Sequence, residues 1–575
     1  MVGQNNYATF IWSIAESLRG PFKPAEYGNV VLPFTVLRRL DAVLAGTKSA
    51  VLELAPKVAN DIETVRDFKL QQAAGQAFYN TSPYDFERLL ADPDGLRRNL
   101  AAYIAGFSPS VRDIFGEDRF EFDKTLDKLA SNNRLFSVTQ QFAGADFHPS
   151  KVSNFDMGLI FEELIRWANE KSNETAGDHY TPREVIRLMV ELLFVADDDA
   201  LHKPGVVRSI YDPTCGTGGM LSVADEYLHS LNPGISLSLY GQDINGFSYA
   251  ICKADMLIKG QGVDNIAKGD TLDDDRFDGK TFDYGLSNPP FGVDWKAERQ
   301  AVEDERAKLG FNGRFGPGVP SVSDGAMLFL LHLVSKMRKA EQGGSRIAIV
   351  LNGSPLFSGG AGGGESNIRK WLLDNDLVEA IIGLPKDMFY NTGISTYVWV
   401  LTNRKSEERR GKLQLIDARE RYGKLRKGIG SKRLELRPED IAAIVRDYAG
   451  FAESKTSKLF RNEDFLYRTI TVERPELDSD GNPVVDKKGK PKSDSSRRDT
   501  ENVPWTEDIA AYFDREVKPY ASDSWIDEAK TKEGAEIPFT RHFYEYVPPR
   551  PLAEIDRDLN VVMAELRELL TELET

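Results

Sequence analysis

Cysteine is almost missing from this chain: Cys215 and Cys252 are the only two in 575 residues. Two thiols make no disulfide framework, and neither stands in a zinc-ligand spacing. Long apolar runs are lacking too. The most apolar stretch, 328–334, is short and interrupted by His332, so no segment reads as a membrane span. No cationic stretch leading into an apolar core opens the sequence, and the expected address is cytoplasmic. Positive charge is scarce, with 73 Lys and Arg against 89 Asp and Glu and a net charge of −16. Non-specific affinity for nucleic acid comes mainly from Lys and Arg neutralising phosphates. If DNA is the substrate, a partner is expected to carry much of the grip.

What is present is globular material, 41% apolar over a length that suits about three or four domains. Residues 1–150 read as a helical domain without visible chemistry: Phe10, Ile11, Ile14 and Leu18 keep helical spacing, and a second apolar segment covers 27–40. From 151 to about 420, helices alternate with short apolar strands, the signature of a parallel sheet with helical crossovers. Strands are expected to end near Tyr211, Gly241, Lys268, Ser287, Leu351 and Leu384, with 396–402 and 413–417 as a hairpin and seven strands in one sheet. Residues 421–575 form a C-terminal region. Within it, 473–501 is rich in charge, Pro and Gly and reads as an exposed loop or linker. At 551–574 a heptad-like seam of Leu552, Ile555, Leu559, Val562, Leu566, Leu569 and Leu573 predicts a helix that docks on a partner.

The chemistry sits in the middle. Asp212-Pro213-Thr214-Cys215-Gly216-Thr217-Gly218-Gly219 follows an apolar strand and opens a helix, so glycines admit a ligand to the backbone beside free N–H groups. No Lys-Ser/Thr follows, and the spacing is not G-x-G-x-x-G, which argues against a phosphate site. The next strand ends in Asp243, placed to accept from ribose hydroxyls, and Asp270 ends the one after, placed to accept from an adenine amine. Three acids at successive strand ends describe a nucleoside pocket without a phosphate clamp, which suits a sulfonium nucleoside such as S-adenosylmethionine. Upstream, Thr181 and Glu184 have capping-box spacing, with Pro182 at the first helical position. Asp178, His179 and Tyr180 crowd that entrance with Arg183, where a ligand's amino and carboxylate groups would be held. Finally Ser287-Asn288-Pro289-Pro290-Phe291-Gly292 follows a strand, and prolines that cannot donate to a ladder leave a stiff turn at its carboxyl end.

The order GDHYTPR, DPTCGTGG, GQD, GDTL, NPPF resembles the amino-methyltransferases of DNA, with the motif order of their gamma class. Arg346–Leu351, Leu384–Phe389 and 395–400, together with the helical leader and tail, are similar to the modification (M) subunit of Type I restriction-modification systems. The resemblance implies an α/β, Rossmann-like class I S-adenosylmethionine methyltransferase with a mixed seven-stranded sheet, flanked by an N-terminal helical domain and a helical C-terminal tail. It implies N6-adenine methylation, with the Asn288 side-chain oxygen and the Pro289 carbonyl accepting the two amine hydrogens. Pro290 would stiffen the turn, and Phe291 would stack on a base flipped from the duplex. No metal is required.

In that family a separate specificity (S) subunit reads the sequence, a second M subunit helps clamp double-stranded DNA, and a restriction (R) subunit joins. Alternatives are a methyltransferase for a protein glutamine or RNA base, and a non-catalytic assembly subunit. After NPPF, 293–320 is expected to be a mobile loop, and 358–364 a flexible connection. Arg419, Arg421, Lys424, Arg426, Lys427, Lys432 and Arg433 form the best candidate for a local phosphate contact.

Overall fold

Three stretches of almost continuously buried residues, Arg346–Asn352, Val378–Gly383 and Thr396–Thr402, make the middle of one sheet. Apolar runs without in–out alternation suit strands covered on both faces. Numbered along the chain, the strands are β1 Val207–Asp212, β2 Ser236–Asp243, β3 Ile266–Lys268, β4 Tyr284–Ser287, β5 Arg346–Asn352, β6 Val378–Gly383 and β7 Thr396–Thr402. After them come β8 Lys412–Asp417, β9 Gly423–Ile429, β10 Lys432–Glu435, β11 Ser457–Arg461, β12 Leu466–Glu473, β13 Asp499–Pro504 and β14 Trp525–Ala535. This computed structural model describes residues 13–153, 181–197, 201–258, 261–390, 392–429, 431–546 and 550–573, with single positions between 156 and 167.

The large sheet has the order β11-β8-β6-β7-β5-β4-β1-β2-β3. Strands β1 to β5 run parallel, β7 is reversed between β5 and β6, and β8 is again parallel to β6. The expected seven strands are therefore present, and β8 and β11 extend the sheet to nine. The expected β7–β8 hairpin is not formed: β6 lies between them, because β7 pairs with both β5 and β6 and leaves only the outer edge of β6 for β8. Helices Gly219–Leu231 and Gly246–Ile258 link β1 to β2 and β2 to β3, and so bring the ends of these strands to one rim.

The N-terminal region is helical as expected. Its central helix Gly28–Leu44 is buried on nearly every side, and Phe34 packs against Phe122 and Phe142 with ring centroids 5.1 Å apart in each case. The fully buried Arg39 donates to the carbonyl oxygens of Phe147 (2.5 Å) and Val152 (2.8 Å), so the charge has acceptors. Phe10 and Ile11 lie outside the described residues.

Beyond the large sheet, the order β13-β12-β14 forms a three-stranded sheet that the sequence reading missed. It has its own core of Ile470, Val472, Val503, Phe513 and Val517. The segment between β12 and β13 is exposed, as expected, but it is an ordered arm rather than a linker: Lys492 N–H donates to the Val484 carbonyl (2.9 Å) and Glu476 N–H to that of Lys492 (2.8 Å). Nor is 358–364 a loose connection. Gly362 N–H donates to Glu533 O (3.2 Å), and a Cβ on Gly364 would lie 1.7 Å from Val319 O, so glycine is what lets the two backbones meet. Pro538–Thr575 is a separate compact unit. It carries helix Leu552–Leu573, on which Leu552, Ile555, Leu559, Val562 and Leu566 are exposed.

Candidate active site

Strand β4 stops at Ser287 and the Asn288-Pro289-Pro290 turn follows at once, because neither proline can supply a ladder N–H. Asn288 is only 8% exposed, and its Nδ2 donates to Thr181 Oγ1 at 2.8 Å. That bond replaces the expected capping box. The helix Arg183–Phe194 takes Pro182 as its N-cap, and the Pro182 carbonyl accepts from Val185 and Ile186 N–H. Thr181 therefore lies one residue before the cap, and Glu184 forms an ion pair with Lys432 instead of closing on the helix end.

The glycine loop is braced by acids. Asp212 Oδ1 accepts from Thr214 N–H (3.0 Å), while the two oxygens of Asp243 accept from Gly216 N–H and Asn245 N–H, each at 2.8 Å. Asp270 turns its own loop by accepting from Leu272 N–H (2.9 Å), and Thr271 Oγ1 donates to Pro213 O (2.5 Å). Gly218 has φ +83°, and a Cβ there would sit 2.7 Å from Cys252 Sγ, so this position admits only glycine without a shift. Asp212 is completely buried, and desolvation pushes its carboxyl up to about 7; the Thr214 amide opposes this and the nearby Asp243 charge adds to it.

These loops surround a cavity of about 610 Å³, within the range of small-molecule sites. Thr181, Asp212, Gly216, Thr217, Gly219, Asp243, Asp270, Asn288 and Pro290 line it. Gly218, Pro182, Arg183, Pro289 and Phe291 do not line it; Arg183 pairs with Glu226 (3.4 Å), and Phe291 is buried edge-on to Phe389 with centroids 6.0 Å apart. Asp178, His179 and Tyr180 lie outside the described residues.

Part of the lining comes from the helical N-terminal region, where the sequence showed no chemistry. Phe22, Arg119, Phe120 and Lys128 line the cavity from there. A latch holds this wall to the helix that follows Asp243. Asp113 accepts from Tyr249 Oη (2.6 Å) and Lys253 Nζ (2.8 Å), Phe120 meets Phe247 edge-on at 5.2 Å, and a Cβ on Gly246 would fall 1.7 Å from Asp118 O. The only trace of this in sequence is Gly246 at a helix start.

Residues 293–320 are packed against the loops of the site rather than loose. Trp295 is buried and donates to Ser321 O (3.0 Å), 299–309 is helical, and Arg314 donates to the carbonyls of Thr271 (2.7 Å) and Leu272 (2.9 Å). Arg314 also donates to His332 Nδ1 (3.2 Å), and since arginine cannot accept, the imidazole proton sits on Nε2 and faces Tyr211 Oη (3.0 Å). Burial keeps His332 well below its ordinary range, with the Arg314 and Lys336 charges adding to the effect. Neutral His332 thus ties this segment to β1 just before Asp212.

A sheet ordered β3-β2-β1-β4-β5-β7-β6 with β7 reversed, and with its acids and glycine loop on the carboxyl rim, defines a class I methyltransferase fold, the class that uses S-adenosylmethionine. Residues 153–467, more than half of the sequence, match the N-6 DNA methylase family, and residues 7–142 match the HsdM N-terminal domain. The chain belongs to the N-6 DNA methylase family and is an enzyme of that class. It is 27% identical to the Type I restriction enzyme MjaIX methylase subunit of Methanocaldococcus jannaschii, over 77% of this chain and 76% of that protein. The MjaVII methylase subunit of the same organism is 29% identical over 57% of this chain and 56% of its own length. The crystal structure of a type I restriction-modification methyltransferase subunit from Streptococcus thermophilus shares the fold, with a TM-score of 0.60 and 23% identity over 80% of this chain and 96% of that one.

Proposed function

We propose that this chain transfers a methyl group from S-adenosylmethionine to the N6 amine of an adenine flipped out of double-stranded DNA, as the modification subunit of a Type I restriction-modification complex. The supporting observation is that Asn288 and Pro290 line the same cavity as Asp212, Asp243 and Asp270. The donor set fits a nucleoside: Asp243 is held by two backbone amides, and a carboxylate can accept about four hydrogen bonds, so ribose hydroxyls add to that bracing. Asp270 accepts from the cofactor's adenine amine. Gly216, Thr217 and Gly219 let backbone approach the ligand, with Gly218 setting the turn between them, and Asp178, His179, Tyr180 and Thr181 hold its amino-acid end, with Pro182 and Arg183 starting the helix behind Thr181. When bound, the cofactor supplies an electrophilic methyl group on sulfur.

The chain's own contribution is to the nucleophile. The Asn288 side-chain oxygen and the Pro289 carbonyl accept the two hydrogens of the substrate amine, which favours a pyramidal nitrogen with its lone pair available. Their dipoles also stabilise the positive charge that develops there. Pro290 keeps the turn stiff. Phe291 stacks on the base, which requires its ring to turn from the contact with Phe389.

The chain divides into a helical 1–150, a methyltransferase 151–420 and a C-terminal 421–575 that lends β11 to the sheet edge. The apolar seam of Leu552–Leu573 docks the specificity subunit or the second modification subunit, and the restriction subunit joins the assembly. No helix among the described residues is long and apolar enough to cross a membrane. As part of a restriction-modification complex acting on DNA, the chain works in the cytoplasm. Co-expression with a specificity subunit, followed by mapping of modified bases, tests the reading. Methylated adenines at one recurring site support it; their absence from DNA carried with an assembled complex refutes it.

A further inference from the structure

Strands β5 and β6 both lie antiparallel to β7, and β8 is parallel to β6, so the carboxyl end of β8 opens on the same rim as Asn288 and the glycine loop. The antiparallel pair β9–β10 follows β8 closely in the chain and starts from this rim. It is fixed to the site. Buried Lys432 forms an ion pair with Glu184, three residues beyond Thr181, and lies 5.4 Å over the Tyr390 ring. Ser431 N–H donates to Tyr390 O (2.6 Å) and Arg433 N–H to Asp387 O (2.9 Å).

Several cations of the 419–433 run are committed internally. Arg419 pairs with Asp417 and Arg421 with Asp447, both at 2.7 Å, and Arg433 turns back to donate to Lys432 O (3.0 Å). Lys424 and Arg426 differ. Both stand on β9 and are exposed, and no side-chain hydrogen bond or ion pair joins either to another described residue.

We propose that the β9–β10 hairpin contacts the phosphate backbone of the duplex beside the flipped base, with Lys424 and Arg426 each neutralising a phosphate. The inference rests on the reading of DNA as substrate and adds the place where it is held. A chain with a net charge of −16 repels DNA at long range, so cations anchored next to the reacting turn decide how the duplex settles there. Anchoring through Lys432 and Glu184 gives the contact a fixed position relative to Thr181 and Asn288, which phosphate contacts need if they are to set register.

The test uses the full chain assembled with a specificity subunit, with bound S-adenosylmethionine and a fluorescent duplex a few helical turns long, titrated between ~50 and ~200 mM salt. Removing both cations with Lys424→Ala/Arg426→Ala is expected to make the slope of log affinity against log salt shallower by about 1.8, or about 0.9 for each phosphate lost. Cofactor affinity should stay unchanged. Lys487→Ala/Lys488→Ala removes the same charge from the exposed arm between β12 and β13 and is expected to keep the wild-type slope. A wild-type slope in the Lys424/Arg426 variant, or an equal loss in both variants, overturns the hairpin contact alone. A wild-type assembly that holds cofactor but has no affinity for the duplex at any salt overturns the functional reading and the hairpin contact with it.

Discussion

Thr181→Val separates two roles that the structure allows for Thr181, a cofactor contact and a support for Asn288. Valine keeps the shape of the side chain and deletes the oxygen that accepts from Asn288 Nδ2 at 2.8 Å. Both residues are at least nine-tenths buried, so the amide loses its partner where water does not readily replace it. An unsatisfied buried donor costs about 1–3 kcal/mol. If that cost falls on the amide orientation needed for transfer, the rate at saturating cofactor drops roughly five- to 150-fold, at about 1.4 kcal/mol per factor of ten. The assay is single-turnover transfer of a labelled methyl group to duplex DNA, with cofactor affinity measured in parallel by calorimetry. Thr181→Ser keeps the oxygen and should restore most of the rate. A valine variant with the wild-type rate, or a serine variant as slow as valine, refutes the orienting role; a loss confined to cofactor affinity assigns Thr181 to the cofactor alone.

Asp243→Ala should weaken cofactor binding by more than tenfold and loosen the glycine loop, since it removes acceptors for Gly216 and Asn245 N–H; unchanged affinity by calorimetry contradicts the assignment. Asp212 is held up to about 7 in the folded chain, against an ordinary value near 4, so the unfolded chain ionises first and stability falls as pH rises through that window. Asp212→Asn keeps an acceptor for Thr214 and removes this loss. Its advantage should grow by on the order of 1.4 kcal/mol per pH unit between about 4 and 7 and then level off. Denaturation curves whose difference is flat with pH exclude it. Gly246→Ala forces a methyl into the Asp118 carbonyl, should cost ~1–3 kcal/mol, and should weaken cofactor binding through the displaced wall; an unaltered melting temperature shows that the close approach is not needed.

Much of the catalytic domain could be read from the chain because its signals are local. β5 and β7 are apolar runs bounded by turns, and the prolines after Asn288 mark a strand end directly. Pairing is not local, so the place of β8 beyond β6 and the addition of β11 left no mark in their own residues. The capping-box spacing of Thr181 and Glu184 misled for a related reason: a partner distant in sequence, Asn288 for one and Lys432 for the other, won each side chain. Trp295 and Arg314 are scattered among polar residues, and this hid how firmly 293–320 is packed. The N-terminal wall was the hardest to see. Asp113, Arg119 and Phe120 carry no motif, and their role appears only once the fold brings Tyr249, Lys253 and Phe247 beside them.

The most direct test of methyl transfer through the Asn288 turn is the fate of label from methyl-labelled S-adenosylmethionine given to wild-type and Asn288→Ala chains, each assembled with a specificity subunit on duplex DNA. Label on adenine N6 with the wild type, and none with a variant that still binds cofactor at near wild-type affinity, is the predicted result. Label on another base or on protein, or equal labelling by the variant, contradicts it.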